Sequence, residues 1–314
     1  METSVTHQLP IDQAKPKRPR FSISPAHLAI LPATVLFTLF VLIPAIGNLF
    51  FSFTDYLGNV DHINWIGFDH YVRAFTSDWG EIQDAIVKSI IFAIGVTSIQ
   101  NGSALFLAVL VNMKIRFRNF YRMIIFMPTI LGVIVIGLSW RLILNPIFGP
   151  VNEFLGNFDA KSGLLGEPDI ALYLVILIQV WASVGYAMVI YIAGLQSIPE
   201  EMYEAASIDG ASPMQQFTYI TLPLLRPAVT INILLSLIGS LKLFQVILIT
   251  TSGGPAQATT TLSLKVFQEL TGSTGGSMPN HGYSAALSVL HFGLMFVVIV
   301  AVQWYLSRSE RYLE

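Results

Sequence analysis

The chain contains no cysteine and little charge. None of its 314 residues is Cys, and only 11% are Asp, Glu, Lys or Arg. The lack of cysteine excludes disulfides and metal sites with thiolate ligands. No G-x-x-x-x-G-K-[ST] sequence occurs either, so the phosphate-binding loop of a Walker-type ATPase is absent from this chain. The formal net charge of -2 gives no support for nucleic-acid binding.

The composition is that of a membrane protein. Hydrophobic residues make up 54% of the chain and the mean hydropathy is +0.64, far above an ordinary soluble domain. A helix needs ~20 apolar residues to cross the hydrocarbon core, and backbone polar groups in lipid must be satisfied within the segment. We therefore expect an all-α integral membrane protein with six transmembrane helices. The six apolar segments are 28–53, 86–112, 121–144, 170–195, 228–250 and 284–306.

Basic residues predict the orientation of these spans. The polar, proline-containing segment 1–24 is expected to be a disordered tail ahead of a transmembrane domain over 25–314. Lys and Arg cluster on one side of the membrane, and the positive-inside rule makes that side the cytoplasm. Both termini and the loop 196–227 are then cytoplasmic. The basic residues on this side are Lys15, Lys17, Arg18, Arg20, Lys114, Arg116, Arg118, Arg122, Arg226, Arg308 and Arg311.

The loop 196–227 is polar and acidic, and its first part has the pattern of a short helix. Ser197 with Glu200 three residues later matches a capping box, which predicts a helix start. Asp209-Gly210 predicts the end, because Gly readily adopts the left-handed conformation found just past a helix.

A second short helix is predicted directly afterwards. Ser212 with Gln215 repeats the capping pattern, and Pro213 suits a first helical turn. Pro223 and Pro227 are expected to close this helix before the fifth span. The loop should therefore be a helix-turn-helix.

The first of these helices has the features of a docking surface. Glu201 and Glu204 lie one turn apart, where they can pair with Arg or Lys of a partner. Met202, Ala205 and Ala206 form a small apolar face that lets another surface approach closely. A solvated acidic connector is the alternative. A catalytic interpretation is weaker, because no His or metal-ligand cluster accompanies the carboxylates.

The sequence over 204–223 resembles the EAA loop of permease subunits of binding-protein-dependent ABC importers. The Gly253-Gly254-Pro255 sequence after the fifth span resembles the carbohydrate-uptake branch of that family, which includes the membrane subunits of the maltose transporter. The resemblance implies a type I ABC importer permease fold with a cytoplasmic coupling loop. The matching residues are Glu204-Ala205-Ala206, Asp209-Gly210-Ala211, Phe217, Ile220 and Leu222-Pro223.

The resemblance also implies partners and a function. This chain would be a transport subunit that translocates a sugar or oligosaccharide, without an ATPase site, cofactor, metal or catalytic residue of its own. ATP and Mg²⁺ would be bound by two copies of a cytoplasmic ABC ATPase. A second related permease and an extracytoplasmic solute-binding protein would complete the importer, in the inner or cell membrane of a bacterium or archaeon. The residues implied to couple the chain to the ATPase are Glu204, Ala205, Ala206, Asp209 and Gly210.

Polar side chains inside two spans are candidates for the path of the solute, because such groups are costly in lipid unless they pair or face a cavity. They share one helical face in each span, and two sets align with sugar-contacting positions of maltose-type permeases. Hydrogen bonding between helices is the structural alternative. The candidates are Gln179, Ser183 and Tyr186 in the fourth span and Ser236, Gly239 and Ser240 in the fifth.

Other residues leave alternatives open. Thr129 and Val133 depart from the maltose pattern, which puts maltose itself in doubt. Lys242 could meet an acidic group on a substrate, although a helix-end position is preferred, so glycerol-phosphate-like and uronate-containing solutes stay candidates. His291 could relay protons in a stand-alone proton-coupled carrier, but a hydrogen bond between helices is the preferred role. Trp181 is expected to pack against lipid or a neighbouring helix, off the Gln179 face.

Overall fold

The computed structural model describes most of the chain. The predicted tail over 1–24 lies outside the described residues. Where the structure is described, the chain is helical apart from turns, loops and one isolated antiparallel bridge between Thr54 and Trp65. The described ranges are 25–58, 63–113, 116–145, 147–156, 164–273 and 278–310.

The described residues fall into two units, one that ends at Gly47 and one that begins at Asn48. The first span forms a continuous helical run that begins in the first unit. Its elements are α1 (Pro25–Phe37), a π-helical turn (Thr38–Leu42) and α2 (Ile43–Phe51).

The second unit contains the other helices. Its described residues also include a 3-10 turn over Leu164–Gly166 and a π-helical turn over Phe217–Thr221. In chain order the helices are α3 (Asp69–Phe75), α4 (Trp79–Asn112), α5 (Arg118–Ile130), α6 (Val133–Ile143), α7 (Pro150–Gly156), α8 (Pro168–Gln196), α9 (Glu200–Ile208), α10 (Pro213–Gln216), α11 (Leu222–Leu224), α12 (Arg226–Lys242), α13 (Gln245–Thr250), α14 (Leu262–Thr271) and α15 (His281–Glu310).

Four to six helical segments are long and apolar enough to cross a membrane. The run Ile30–Phe51 and the helices α4, α8 and α15 qualify singly. Two bent pairs bring the number to 6 if each is one span: α5 with α6, bent by 96°, and Pro213–Leu224 with α12, bent by 65°. The chain is therefore a multi-pass, membrane-embedded helical protein.

The third span is not the straight helix that the apolar segment 121–144 predicts. Pro128 has no N–H for the helical hydrogen-bond ladder, and Leu131 and Gly132 adopt extended backbone with ψ of 138° and 142°. The helix consequently ends at Ile130 and restarts at Val133 in another direction.

The fifth span also departs from the prediction of one helix over 228–250. It breaks after Lys242, where Leu243 is extended (ψ 125°). The Ser263 hydroxyl donates to the Lys242 carbonyl (3.0 Å), and the His291 ring lies 3.1 Å (Nε2) from the Leu241 carbonyl oxygen. Side chains from neighbouring helices thus satisfy carbonyl groups that the break frees, as an apolar surrounding requires.

The loop before this span ends differently from the prediction that Pro223 and Pro227 close its second helix. Pro223 lies within α11, and the chain changes direction at Leu225, before α12 begins. Pro is tolerated in the first turn of a helix because that N–H has no intrahelical partner. Pro223 and Pro227 therefore start helices here.

The helix α8 is the centre of the second unit. It packs along α4, where Phe92 and Val96 meet Val175 and Ile176 in an apolar core. The helix α5 approaches it at Gly185, where an added Cβ would lie 2.4 Å from the Ile125 carbonyl oxygen. Small residues permit such backbone contact between membrane helices. The helix α12 packs on α4 beside this pair.

Candidate functional site

The first loop helix, α9, begins at Glu200 with Pro199 at its N-cap. The predicted capping box between Ser197 and Glu200 is wrong. Ser197 still has right-handed helical backbone at the end of α8, and its hydroxyl turns back to donate to the Gly194 carbonyl (2.8 Å). It therefore closes the preceding helix and cannot cap the next one.

The end of α9 agrees with the prediction of a stop at Asp209-Gly210. Gly210 has φ +77°, the left-handed region that favours glycine. The Gly210 N–H donates to the Ser207 carbonyl (3.2 Å), and the Ala211 N–H donates to the Ala206 carbonyl (2.9 Å). This pair of bonds is the Schellman motif, which satisfies the last carbonyls of a helix.

The second loop helix begins with the predicted capping box. The Gln215 side chain accepts from the Ser212 N–H (2.8 Å), and the Gln215 N–H donates to the Ser212 hydroxyl (3.4 Å). Both orphan donors at this helix start are thus satisfied.

Two side-chain contacts tie α9 to the segment that follows it. The hydroxyls of Tyr203 and Thr221 lie 2.9 Å apart. The Gln216 amide donates to the Ser207 hydroxyl (2.9 Å) and to the Ala211 carbonyl (3.2 Å). The helix α9 is therefore joined to the segment 211–221 by side-chain hydrogen bonds as well as through the backbone.

The predicted coupling residues lie on the open side of this loop. Glu204, Ala205, Asp209 and Gly210 are exposed and Ala206 is half-buried. Ile208, which the sequence reasoning passed over, is 87% exposed in the last turn of α9. An apolar side chain with polar groups around it fits the arrangement of protein interfaces, which have an apolar core and a polar rim.

All six candidate solute-path residues line one cavity between α4, α8 and α12. Its volume is about 120 Å³, small beside the ~300–1,000 Å³ of pockets that enclose drug-sized ligands. The chain alone therefore forms a narrow cleft. The predicted residues on its wall are Gln179, Ser183, Tyr186, Ser236, Gly239 and Ser240, joined by Val96, Gln100, Asn232 and Leu235.

Hydrogen bonds between helices hold part of this wall. The Ser183 hydroxyl donates to the Gln100 side chain (3.0 Å) and to the Gln179 carbonyl (2.7 Å). The Asn101 amide donates to the Ser236 hydroxyl (2.8 Å). These serines therefore make hydrogen bonds between helices, which was the structural alternative, and they also line the cavity.

Tyr186 differs from the serines. It is 47% exposed, and within the described part of the chain its hydroxyl makes no hydrogen bond, so it is available to a solute. A Cβ added at Gly239 would meet no atom within 4 Å, which leaves the opposite wall open at that position.

Sequence reasoning missed Gln100 and Asn232 as lining residues. The Gln100 side chain accepts from the Ser183 hydroxyl, and it also faces the cavity. Asn232 donates to the Ala187 carbonyl (3.1 Å). A polar residue at helical spacing from a candidate, such as Asn232 four residues before Ser236, was the available signal.

The remaining intramembrane candidates have structural positions. His291 makes the predicted hydrogen bond between helices, to the Leu241 carbonyl (3.1 Å). Lys242 is exposed at the last residue of α12, the helix-end position that we preferred. Trp181 contacts Trp140 of α6 edge-on at a centroid distance of 5.5 Å, as expected of packing on a neighbouring helix.

Paired charges lie on α3, α4 and α14, at the end of the second unit away from the loop 196–227. Lys265 is buried and lies 2.7 Å from a Glu81 carboxylate oxygen. Arg73 and Tyr283 both donate to Asp78 (2.9 and 2.8 Å). Burial alone raises the pKa of Asp78, but the hydrogen bonds and the Arg73 charge together hold this pKa below its ordinary value.

Residues 100–311 match the family of binding-protein-dependent transport system inner membrane components. The match covers more than half of the chain, including the whole coupling loop and both sets of cavity residues. The chain belongs to this family of ABC transporter permeases.

Curated relatives are similar in sequence to this chain over nearly its full length. A probable starch degradation products transport system permease protein of Thermoanaerobacterium thermosulfurigenes is 32% identical over 283 residues, covering 90% of this chain and 94% of the relative. The sn-glycerol-3-phosphate transport system permease protein of Escherichia coli is 34% identical over 294 residues, covering 91% and 95%.

The fold is that of a solved ABC importer subunit. A chain of a bacterial alginate ABC transporter, crystallised in complex with an alginate pentasaccharide-bound periplasmic protein, has a TM-score of 0.77 to this structure. It is 22% identical, and the match covers 91% of this chain and 94% of that chain. At this identity the likeness shows the fold.

Proposed function

We propose that the chain is the membrane-spanning permease of an ABC importer for a sugar or oligosaccharide. The single observation that carries this proposal is the loop from α9 to α11. It keeps an exposed acidic and apolar surface, ends its first helix in a Schellman motif at Gly210, and is hydrogen-bonded to the start of the fifth span. Family membership and the carbohydrate named for a relative support the same function.

In this proposal the chain has six spans, with both bent helix pairs counted as single spans. The loop 196–227 and both termini face the cytoplasm, where Glu204, Ala205, Ala206, Asp209 and Gly210 receive one copy of an ABC ATPase. ATP and Mg²⁺ belong to that ATPase, and this chain has no enzymatic activity of its own.

The narrowness of the central cavity supports a paired permease. A cleft of about 120 Å³ cannot enclose an oligosaccharide, so a second, related permease supplies the facing wall. An extracytoplasmic solute-binding protein delivers the solute. ATP-driven closure of the ATPases then moves the docked loops and shifts the spans between inward- and outward-facing states.

Charge reversal in the loop tests this function. We expect Glu204→Lys to abolish copurification of the ATPase subunit with the permease and to abolish ATP-dependent solute uptake by the reconstituted importer. The matched control is Glu167→Lys, which reverses an exposed carboxylate at the other end of α8. Normal ATPase binding and uptake by Glu204→Lys would refute the coupling role.

A second candidate function is the import of an acidic or phosphorylated solute by the same mechanism. The relative that carries sn-glycerol-3-phosphate in its name is 34% identical, and the cavity residues donate and accept hydrogen bonds without selecting for or against a charge. A binding screen of the cognate solute-binding protein against neutral and acidic saccharides decides between the two.

A further inference from the structure

A second polar cavity lies at the end of α8 that is remote from the coupling loop. Its volume is about 270 Å³. At 1.5 Å per residue, its wall at Gly166 is ~20 Å from the central cavity residue Gln179 along the helix axis. Its lining includes Arg141, Asn145, Gly166, Thr250, Thr251 and Gly254.

Arg141 differs from the other cations at this end of the molecule. Arg73 pairs with Asp78, Lys88 with Asp84, and Lys265 with Glu81. Across the described ranges, no carboxylate lies within the 4.0 Å ion-pair distance of Arg141. Its guanidinium makes one long hydrogen bond, from Nη1 to the Ile249 carbonyl (3.5 Å).

An exposed guanidinium has five N–H donors in a planar fork. One long bond leaves most of them directed to water or to a ligand. Because carboxylate and phosphate oxygens match this fork in pairs, the open charge of Arg141 suits an oxyanion. The Thr250 and Thr251 hydroxyls in the lining donate to the Val246 and Ile247 carbonyls, and the Asn145 side-chain oxygen accepts from two backbone N–H groups. Their remaining acceptor lone pairs and the Asn145 amide N–H groups are what they can offer to the hydroxyl groups of a solute.

The loop that forms the other wall is fixed in place. The Thr251 and Thr259 hydroxyls lie 2.7 Å apart, and Thr259 also donates to the Gly254 carbonyl (3.0 Å). Lys88 of α4 donates to the Gln257 carbonyl (2.8 Å), which ties the loop to the neighbouring span. A wall held by such bonds requires little reordering when a ligand arrives.

We propose that this cavity is an entry subsite that binds the oxyanion group, carboxylate or phosphate, of an acidic solute on its way to the central cavity. The proposal rests on the importer function given above and narrows its solute class. The volume of about 270 Å³ is below the ~300–1,000 Å³ of pockets for drug-sized ligands, so the cavity has room for about one charged unit.

Equilibrium binding to the full chain, copurified with its partner subunits in nanodiscs of zwitterionic phosphatidylcholine, tests this subsite. The probes are radiolabelled D-glucuronate and sn-glycerol 3-phosphate, with glucose as the neutral comparison. We expect Arg141→Gln to weaken binding of both anions at least tenfold and Arg141→Lys to weaken it less, because Lys keeps the charge and loses the fork. The charge-matched control Arg118→Gln, at an exposed position at the start of α5, should bind as the unaltered protein does.

Two results would overturn the proposal: the absence of anion binding by the unaltered protein, or equal anion binding by Arg141→Gln. A lipid phosphate group has the same chemistry, so the measurement is repeated in nanodiscs that contain phosphatidylglycerol. Loss of probe binding there, only when Arg141 is present, would assign the cavity to a lipid headgroup and also refute the solute subsite. None of these outcomes alters the Glu204→Lys result, so failure of the subsite is distinguishable from failure of the importer function.

Discussion

The loop 196–227 and the helix ends around Glu81 differ in how their charged side chains are paired. At the loop end, none of the carboxylates Glu200, Glu201, Glu204 and Asp209 forms an ion pair within the described residues. At the other end, carboxylates are paired across helices: Lys265 of α14 reaches Glu81 of α4.

This difference separates a fixed part of the second unit from an open one. Ion pairs between helices stabilise the end around Glu81 and Lys265, since breaking a partly buried pair leaves a charge without compensation. Open carboxylates beside the exposed Ile208 leave the loop end ready for a partner. The central cavity lies between the ion-paired end of the second unit and the loop 196–227.

The largest effect is expected from the turn that shapes the open end. Gly210→Val places a β-branched side chain at φ +77°, which costs at least ~1–2 kcal/mol and reshapes the turn. We expect ATP-driven uptake by the reconstituted importer to fall to the level measured without ATP. The control Gly80→Ala lies in open space on α4 at the other end and should retain uptake. Coupled transport by Gly210→Val would show that the turn conformation is dispensable.

Substitutions in the central cavity should impair solute uptake without impairing binding of the ATPase. We expect Tyr186→Ala to lower uptake about tenfold, the equivalent of roughly 1.4 kcal/mol, because the exposed ring and hydroxyl line the cavity. ATPase copurification should not change. Val189→Ala, at an exposed apolar position on the same helix, is the control. Ser240→Leu, which fills the opposite wall, should act like Tyr186→Ala, and normal uptake by both variants would remove the cavity from the solute path.

A smaller effect should follow from loosening the loop end. Tyr203→Phe deletes the hydroxyl that lies 2.9 Å from the Thr221 hydroxyl, a hydrogen bond with a net contribution of about 1 kcal/mol. We expect about a fivefold drop in solute transported per ATP hydrolysed, with the rate of ATP hydrolysis retained. Tyr219→Phe, whose ring is 76% exposed, should keep the ratio of the unaltered protein. An unchanged ratio for Tyr203→Phe would mean that the backbone alone carries the movement.

The smallest effect concerns the paired end and depends on pH. The pKa of Asp78 is held below its ordinary value near 3.8, so its contacts stabilise the fold above that pH and lose this contribution as pH falls through the folded-state pKa. We expect Tyr283→Phe to lower thermal stability by about 1 kcal/mol at neutral pH.

The difference from the unaltered protein should shrink below about pH 4, as pH falls through the folded-state pKa of Asp78. Thermal unfolding of both proteins across pH measures this, with Tyr305→Phe, an exposed tyrosine in the same helix, as the control. A difference independent of pH would show that Tyr283 acts through packing alone.

Local chemistry in the sequence was sufficient for some features and not for others. The stop at Gly210 and the capping box at Ser212 depend on residues within one turn of each other, and both are present. Within each span the candidate cavity residues share one helix face because they follow helical spacing, and both faces line the same cavity. Their transport role stays a prediction.

Features that depend on contacts between spans were missed, and so was the local role of Ser197, whose hydroxyl donates to the Gly194 carbonyl at the end of α8 and does not cap α9. The break after Lys242 depends on Ser263 and His291, which lie 21 and 50 residues beyond the carbonyls they contact. Gln100 faces the cavity because of the way α4 packs against α8. Residue spacing within α4 alone does not predict that packing.

The most direct test of the central claim is a site-specific photocrosslink at the two ends of the second unit. Ile208 in the coupling loop and Met278 before α15 are 87% and 88% exposed, so a photoreactive amino acid at either position is equally accessible. In the intact importer we expect position 208 to crosslink to the ATPase subunit, with a yield that changes on ATP binding, and position 278 not to crosslink to it. ATPase crosslinking from position 278, or none from position 208, would contradict the assignment of the loop as the entry point of mechanical work.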